Sequence, residues 1–208
     1  EAILAAPNCT SARANVPFHG VTVQRGPLLD GVGETLRDIV LVGDDAPVDV
    51  VAALRDAGAE VVVNLLPTGA QAASEYYANA AIQAGCGFVN CIPSVLANSE
   101  HWAESFRAAG LPLLGDDLKS QFGATVLHRA ILDALLQSGC HLVHTHQLNV
   151  GGNCDFLNMT APSRRAAKQV TKTAAIQSLV PDMEIPHAGP SDHFPSLADN
   201  KVAYISLA

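Results

Sequence analysis

Apolar residues in the first half of the chain form two kinds of run that alternate. Short β-branched runs such as VVVN (61–64) are followed by alanine-rich stretches such as AQAASEYYANAAIQAG (70–85), in which apolar positions recur with a helical period. Strands that alternate with helices are typical of βαβ units, so the predicted fold class is α/β with a parallel sheet. The pattern predicts strands within residues 38–43, 59–69, 86–94 and 111–117, and helices over 47–58, 70–85 and 101–110.

The second half of the chain follows a different pattern after GDDLKSQ (115–121). We therefore divide the chain into two predicted domains, residues 1–117 and 118–208. The second half predicts a helix from about Ser120 to Ser138, a strand and turn over 141–153, a helix over 163–180 and a strand over 201–208.

Polar residues follow three predicted strands of the first half. In open α/β sheets ligands bind at the carboxyl ends of the strands, so three polar strand ends in succession indicate one ligand crevice. For any single turn, asparagine and glycine could instead serve only to cap helices and satisfy backbone groups. The residues are Asn64, Pro67, Thr68 and Gly69, then Asn90, Pro93 and Ser94, then Asp116 and Asp117.

Glycine and aspartate recur together at three places in the sequence. These are GDDLKSQFGA (115–124), GGNCDFLN (151–158) and GPSDH (189–193), and each predicts a glycine turn that carries an aspartate. The first also places Lys119 and Ser120 at the start of the long helix. Three such turns indicate one polar site.

Two shorter patterns have both a functional and a structural interpretation. Lys168 and Lys172 are four residues apart and share one helix face, a spacing that is usually just a solvated surface. His144 and His146 alternate on one strand, but an HxH pair without a third ligand is more often structural than metal-binding, so we assign no metal site. No GxGxxG follows a predicted strand, so a phosphate-binding glycine loop is not visible.

Composition and charge narrow the function classes. The 208 residues are 49% hydrophobic and 15% charged, which is a globular composition. A net charge of −8 without a cluster of basic residues argues against nucleic acid, and no apolar run approaches the roughly 18 residues of a membrane span. Five cysteines without CxxC spacing disfavour a disulfide framework or a zinc site. We expect a cytoplasmic protein with reduced thiols.

Longer motifs, in order over nearly the whole chain, resemble the inositol-3-phosphate synthases of the bacterial and archaeal type. The longest and most specific are GDDLKSQFGATVLHR (115–129) and QLNVGGNCDFLNM (147–159). The others are VQRGPLLDGVG (23–33), PVDVV (47–51), LPTG (66–69), FVNCIPS (88–94), KQVTKT (168–173) and GPSDH (189–193). The resemblance implies a partial Rossmann-like NAD-binding domain followed by a partial α/β catalytic and tetramerisation domain.

The resemblance implies an NAD-dependent isomerase that converts D-glucose 6-phosphate into 1D-myo-inositol 3-phosphate, as a homotetramer. A divalent or monovalent cation is a candidate second cofactor. In the implied reaction NAD oxidises C5, a proton leaves C6, C6 attacks the C1 aldehyde, and the ketone is then reduced. Such chemistry needs a base and cationic donors for developing oxyanions, and lysine suits both tasks because burial and crowding lower its pKa.

The family's functional residues carry over to positions of the matching motifs. The implied catalytic residues are Asp117, Asp155, Lys168, Lys172 and Lys201. The implied cofactor-binding residues are Asn64, Thr68, Gly69, Asn90, Pro93 and Asp116. Helix capping is the structural alternative for Asp116 and Asp117.

The family pattern extends beyond this chain at both ends. It has a GxGxxG-like loop ahead of the first motif, and a further catalytic lysine after KVAYISLA (201–208). We therefore expect an internal fragment that does not turn over substrate alone. Two alternatives stay open, an NAD(P)-dependent oxidoreductase on a related scaffold, which would release NADH, and a non-catalytic assembly module.

Overall fold

The structure is a computed structural model that describes residues 20–118 and 123–208. Lys119 and Ser120, which the sequence predicts at the start of a helix, lie outside the described residues. The described part contains two three-stranded sheets, one formed by each half of the chain.

The first sheet is parallel, as the alternation of strands and helices predicts. Its strands are β1 (Val61–Asn64), β2 (Gly87–Asn90) and β3 (Leu113–Leu114), in that spatial order. The helices between and before them are α1 (Val50–Asp56), α2 (Gln71–Ala84) and α3 (Glu100–Ala109).

The helix ends follow from local sequence. Asp49 begins α1 by accepting a hydrogen bond from the Ala52 amide at 3.1 Å. Helices α2 and α3 end at Gly85 and Gly110, which adopt the left-handed conformation that glycine takes without steric cost. Because β1, β2 and β3 are parallel neighbours, their carboxyl ends meet at one edge of the sheet.

The predicted strand over residues 38–43 is wrong. Residues 37–39 form a turn after a short 3₁₀ helix (Glu34–Leu36), and Leu41 is almost fully exposed. No residue of 38–43 pairs with another strand among the described residues, because β1 bonds only to β2. A β-branched run without a neighbouring strand gains nothing from its β propensity.

The second sheet is mixed. Its central strand β4 (Thr145–Gly151) is parallel to β5 (Ala188–His193) and antiparallel to β6 (Lys201–Leu207). The helices of this half are α4 (Ala124–Gln137), the short α5 (Cys154–Asn158) and α6 (Pro162–Gln177).

The predicted glycine turn at GPSDH is also wrong, because residues 189–193 belong to β5. The register of β5 with β4 shifts between Asn149 and Val150. The glycine and proline of β5 therefore interrupt the regular pairing of the two strands rather than form a turn. The Asp192 side chain is exposed and accepts from the backbone amide of the neighbouring His193.

Each half buries its own apolar cluster. In the first half Phe88 of β2 packs with Phe106 of α3, with ring centroids 6.2 Å apart. In the second half Leu132 of α4 packs with Ile176 of α6. Burying each of these side chains contributes about 1.5–3 kcal/mol, enough to fix the helices that carry the polar residues described next.

Candidate active site

A cleft of about 790 Å³ lies where the end of β3 meets the second sheet and its helices. Its volume lies within the range of about 300–1,000 Å³ typical of small-molecule sites. Its polar lining comes from six elements or turns and consists of Asp116, Asp117, Thr125, Asn149, Asp155, Lys168, Thr171, Lys172 and Lys201.

Asp117 is held by two residues of α6. Lys168 Nζ lies 2.6 Å from Asp117 Oδ1, and the Thr171 hydroxyl donates to Asp117 Oδ2. The ion pair is mostly buried, with side-chain exposures of 21% for Lys168 and 15% for Asp117. Asp117 also has a φ of 56°, in the left-handed region that non-glycine residues rarely occupy. Its carboxylate is therefore fixed in place by the fold.

Lys172 is the second lysine of the α6 face. Residues 168, 171, 172 and 175 line the cleft, which is the spacing of one helix face. Lys172 Nζ donates to Thr125 Oγ1 at 2.8 Å. Burial lowers the pKa of Lys172, and the nearby charges of Lys168 and Lys201 lower it further, although Asp117 and Asp155 oppose them. An amine in this setting can release and recover a proton more readily than a solvated lysine.

Asp155 lies at the first turn of α5, which follows the double-glycine turn. The Asn153 side chain begins this helix by accepting from the Phe156 amide at 3.2 Å. Asp155 Oδ1 accepts from the hydroxyl of Thr68, which follows β1 in the other half. The helix start thus presents a carboxylate at the boundary between the two halves.

Lys201 begins β6 and faces the same cleft. Its Nζ lies 5.3 Å from the centroid of the Phe156 ring, within the range of a cation–π contact. The Lys201 side chain is exposed, so its ammonium group can contact both the ring and a ligand.

The candidate cofactor residues at the strand ends mainly contact one another. Asn64 Nδ2 donates to Asn90 Oδ1 at 2.9 Å, and Asn90 Nδ2 donates to Asp116 Oδ1 at 2.7 Å. Asp116 also accepts from the backbone amides of Leu96, Ala97 and Asn98. This chain of bonds joins the carboxyl ends of all three strands and fixes the edge of the sheet.

The remaining candidates of this group shape the turns. Pro93 is buried in the turn after β2. Gly69 has a φ of 83°, and a Cβ there would lie 2.3 Å from Arg164 Cδ. Arg164 is buried and donates to the carbonyls of Thr68 and Asp30, so the turn after β1 is packed directly against α6.

The structure therefore brings together Asp117, Asp155, Lys168, Lys172 and Lys201 in one cleft. Of the predicted cofactor-binding residues only Asp116 lines the cleft, and the others, Asn64, Thr68, Gly69, Asn90 and Pro93, lie outside its lining. Thr125, Asn149 and Thr171 line the cleft but were not singled out from the sequence. They lie inside the motifs GDDLKSQFGATVLHR, QLNVGGNCDFLNM and KQVTKT. For Thr171 the sequence does hold a signal, because it is three residues from Lys168 and so lies on the same helix face.

The two histidines considered as metal ligands lie apart from this cleft. His146 packs against Tyr204 across β4 and β6, with ring centroids 5.9 Å apart. The backbone of His144 pairs with that of Glu184 in an isolated β-bridge. Within residues 20–118 and 123–208, no group of three or more His, Cys, Asp and Glu residues is placed to hold a metal ion. In the same part of the chain no helix has the length and apolar character needed to cross a membrane.

Comparison with known sequences identifies close relatives. Residues 123–208 match the family model for myo-inositol-1-phosphate synthase. The whole chain is 46% identical to the inositol-3-phosphate synthase of Corynebacterium glutamicum and 46% identical to that of Mycolicibacterium smegmatis. The chain spans 59% of the length of each of these curated relatives.

Comparison with solved structures gives the same fold. A myo-inositol-1-phosphate synthase-related protein from Thermotoga maritima is 26% identical, with a TM-score of 0.63 over 76% of this chain and 48% of that chain. The inositol-3-phosphate synthase of Caenorhabditis elegans, at 18% identity, has a TM-score of 0.65 over 89% of this chain and 45% of that chain. The predicted α/β class with a parallel, Rossmann-like sheet is confirmed.

Proposed function

Because the chain belongs to the myo-inositol-1-phosphate synthase family, we propose that it forms the catalytic cleft of an NAD-dependent isomerase that converts D-glucose 6-phosphate into 1D-myo-inositol 3-phosphate. The observation that carries this proposal is the meeting of three lysines and two aspartates in one cleft of about 790 Å³. A phosphorylated sugar that develops negative oxygens during reaction needs such a concentration of cations.

The carboxyl ends of β1 to β3 would hold NAD, with its nicotinamide toward Asp117. The residues fit this end of the cofactor, since Asp116 and Asp117 line the cleft beside Lys168 and their carboxylates are acceptors for the amide of the nicotinamide. The side chains of Asn64 and Asn90 form hydrogen bonds with each other and with Ser74, Ser94 and Asp116. They would therefore shape the crevice rather than bind the cofactor directly. When bound, NAD would accept a hydride from C5 of the substrate and would later return it to the same carbon.

Lys172 is the group best suited to accept a proton from the substrate. Its lowered pKa increases the fraction of neutral amine, and its bond to Thr125 fixes the position of Nζ. Thr125 Oγ1 can in turn hold the ammonium form after proton transfer. Lys172 therefore takes the role of general base in this proposal, and of general acid when the proton is returned.

Lys168 and Lys201 supply positive charge for substrate oxygens. Asp117 holds Lys168 in one position, while the Phe156 ring contacts the ammonium group of Lys201. Charged donors that are fixed before the reaction stabilise a developing oxyanion without reorganisation. Asp155, held by Thr68, would orient a substrate hydroxyl or one of these ammonium groups.

Product analysis in the full-length protein that contains this chain tests the proposal. We expect glucose 6-phosphate to be converted to inositol 3-phosphate with NAD present in catalytic amount, and Lys172→Met to slow conversion by a factor on the order of a hundred to a thousand. Accumulation of NADH in step with product would favour the oxidoreductase alternative. Binding of neither NAD nor glucose 6-phosphate would favour the assembly module.

The same protein is proposed to be a homotetramer. The face of the second sheet opposite the buried Thr145 and Gln147 exposes apolar side chains, among them Leu148, Val202 and Tyr204. Neighbouring exposed apolar residues on one sheet face are typical of a surface that binds another protein. Light scattering of the full-length protein measures its mass, and Tyr204→Lys should lower that mass if this face is the interface.

A further inference from the structure

A fully buried histidine lies on the inner side of the cleft. His128 is on α4 three residues after Thr125, the residue that binds Lys172, and its ring has no solvent exposure. Its Nε2 lies 2.7 Å from Thr145 Oγ1 and its Nδ1 lies 3.2 Å from Gln147 Oε1. Both partners are on β4 and are themselves fully buried.

The chain of contacts continues from His128 to the cleft. Gln147 Nε2 donates to Asn149 Oδ1 at 3.1 Å, and Asn149 lines the cleft. Residues 145, 147 and 149 share one face of β4, because side chains alternate along a strand. A buried polar line therefore runs from α4 along this face and ends at the cleft wall.

The direction of the hydrogen bonds follows from the atoms. In the arrangement in which Gln147 Oε1 faces the ring, that oxygen can only accept, and His128 Nδ1 then carries the proton. Gln147 then has its amide nitrogen left to donate to Asn149 Oδ1, which leaves the Asn149 NH₂ group for the cleft. With the proton of His128 on Nδ1, Nε2 is an acceptor, so the single proton of the Thr145 hydroxyl bonds either to Nε2 or to the Ser206 carbonyl at 2.8 Å.

We propose that His128 is a positioning residue whose Nδ1–H, through Gln147, turns the Asn149 amide so that its NH₂ group donates into the cleft. Burial lowers the pKa of His128, which keeps the ring neutral with a single proton to place. A side-chain amide without such a partner could present either its oxygen or its nitrogen. When Gln147 donates to Asn149 Oδ1, the Asn149 NH₂ group faces the cleft as a donor for an oxygen atom of the ligand.

This inference rests on the proposed function only for the identity of the ligand, a sugar phosphate whose hydroxyl or carbonyl oxygen would accept from Asn149. The tautomer of His128 does not depend on the ligand. It can be measured by solid-state NMR of the full-length protein with isotope-labelled histidine, with His128 assigned by its loss in a variant. We expect the proton on Nδ1. A neutral ring with the proton on Nε2 would overturn the proposal, because Gln147 and Asn149 would then both be reversed.

Three substitutions of His128 separate positioning from packing. Asparagine places an amide nitrogen close to the position of Nδ1, glutamine places one close to Nε2, and leucine removes both donors while filling the site. We expect His128→Asn to bind glucose 6-phosphate within a few-fold of the unsubstituted protein, and His128→Gln and His128→Leu to bind at least tenfold more weakly by calorimetry. Equal losses in all three variants would assign His128 to packing alone.

The Asn149→Ala background provides the control. If His128 acts through Asn149, replacing His128 by leucine should change ligand affinity less than twofold in that background, whereas the loss of thermal stability should be the same in both. An undiminished effect on affinity would overturn the proposal. If the unsubstituted protein does not bind glucose 6-phosphate, the proposed function fails, and the tautomer measurement still decides the arrangement of the hydrogen bonds.

Discussion

The Thr68 hydroxyl lies 3.2 Å from Asp155 Oδ1 and links the turn after β1 to the start of α5, across 87 residues of sequence. The Thr68 carbonyl is held at the same time by Asn158 Nδ2 at 2.9 Å and by Arg164 Nη1 at 3.1 Å. Since Asn158 ends α5 and Arg164 lies in α6, Thr68 of the first half bonds to both helices. Thr68, proposed from the sequence as a cofactor contact, is thus also a support for Asp155.

Thr68→Val tests this support, because it removes the hydroxyl and keeps the shape of the side chain. We expect a loss of about 1–2 kcal/mol in transition-state stabilisation, roughly a five- to thirtyfold fall in kcat/KM, as Asp155 loses its donor. Thr68→Ser keeps the donor and should restore most of the rate. Equal rates for the valine and serine variants would show that the bond does not position Asp155.

Asp155→Asn should lower turnover severely while the fold stays intact. The residue is exposed to the cleft, so its substitution disturbs little packing, but it removes a negative charge next to the lysines. Turnover at saturating glucose 6-phosphate and thermal unfolding should be measured together in the full-length protein. If the variant keeps the normal rate at saturating substrate, Asp155 serves only as a turn residue.

Lys168→Met and Lys172→Met should each remove about 3–4 kcal/mol of transition-state stabilisation, a factor on the order of a hundred to a thousand in rate. Lys168→Met leaves Asp117 without its partner in a mostly buried ion pair, so its melting temperature should fall. Lys172→Met removes a buried ammonium group and should not lower the melting temperature. Arg165, on the same helix but outside the cleft lining, offers the matched control, and Arg165→Met should leave the rate unchanged. Near-normal turnover in both lysine variants would contradict the assignment.

The pH dependence of kcat/KM should follow the neighbours of Lys172. Its pKa lies below the ordinary value of 10.5, mainly because of burial and then because of Lys168. If the neutral amine is the base, activity rises with pH through this pKa. Lys168→Met removes a like charge and should move the rise to higher pH, whereas Asp117→Asn removes a favourable charge and should move it to lower pH. Shifts in the same direction for both variants would exclude Lys172 as the base.

The same lowered pKa has a consequence for stability. The unfolded chain binds the Lys172 proton more tightly than the folded chain, so the free energy of unfolding increases with pH between the folded pKa and 10.5. Below the folded pKa the cost of burying the ammonium group is present in full. The free energy of unfolding of Lys172→Met, compared with that of the unsubstituted protein, should therefore be more favourable near neutral pH than above pH 10.5.

Gly69→Ala should destabilise the protein more than Gly85→Ala. Both glycines have nearly the same φ, 83° and 82°, so the backbone cost of adding a Cβ is the same. Only at Gly69 would the Cβ meet a neighbour, the buried Arg164, whereas open space surrounds Gly85. We expect about 1 kcal/mol for Gly85→Ala and about 2–4 kcal/mol for Gly69→Ala in denaturant unfolding. Equal losses would show that Arg164 adjusts freely.

Helix ends and the parallel first sheet could be predicted from sequence because their causes are local. Gly85 and Gly110 end α2 and α3 as expected, and the β-branched runs at β1 and β2 form strands. The run at 38–43 has the same composition but has no strand beside it among the described residues, and only tertiary structure could decide that.

The cleft was predictable only in part for a similar reason. Motif resemblance named the lysines and aspartates that line it, whereas no pattern in the sequence links Asn64 to Asn90 or Thr125 to Lys172, since these pairs lie 26 and 47 residues apart. Hydrogen-bond partners at such separations depend on how the elements pack. Whether a polar strand end contacts a ligand or another strand end is therefore not contained in the local sequence.

Asp116 and Asp117 are adjacent but have separate partners. Asp116 accepts from Asn90 and from residues 96–98, whereas Asp117 accepts from Lys168 and Thr171. A ligand that displaces Lys168 from Asp117 would leave every bond of Asp116 in place, so the loop at 96–98 would not have to move. Rearrangement during a catalytic cycle would then be confined to one residue, and its neighbour would act as a fixed pivot for the end of β3.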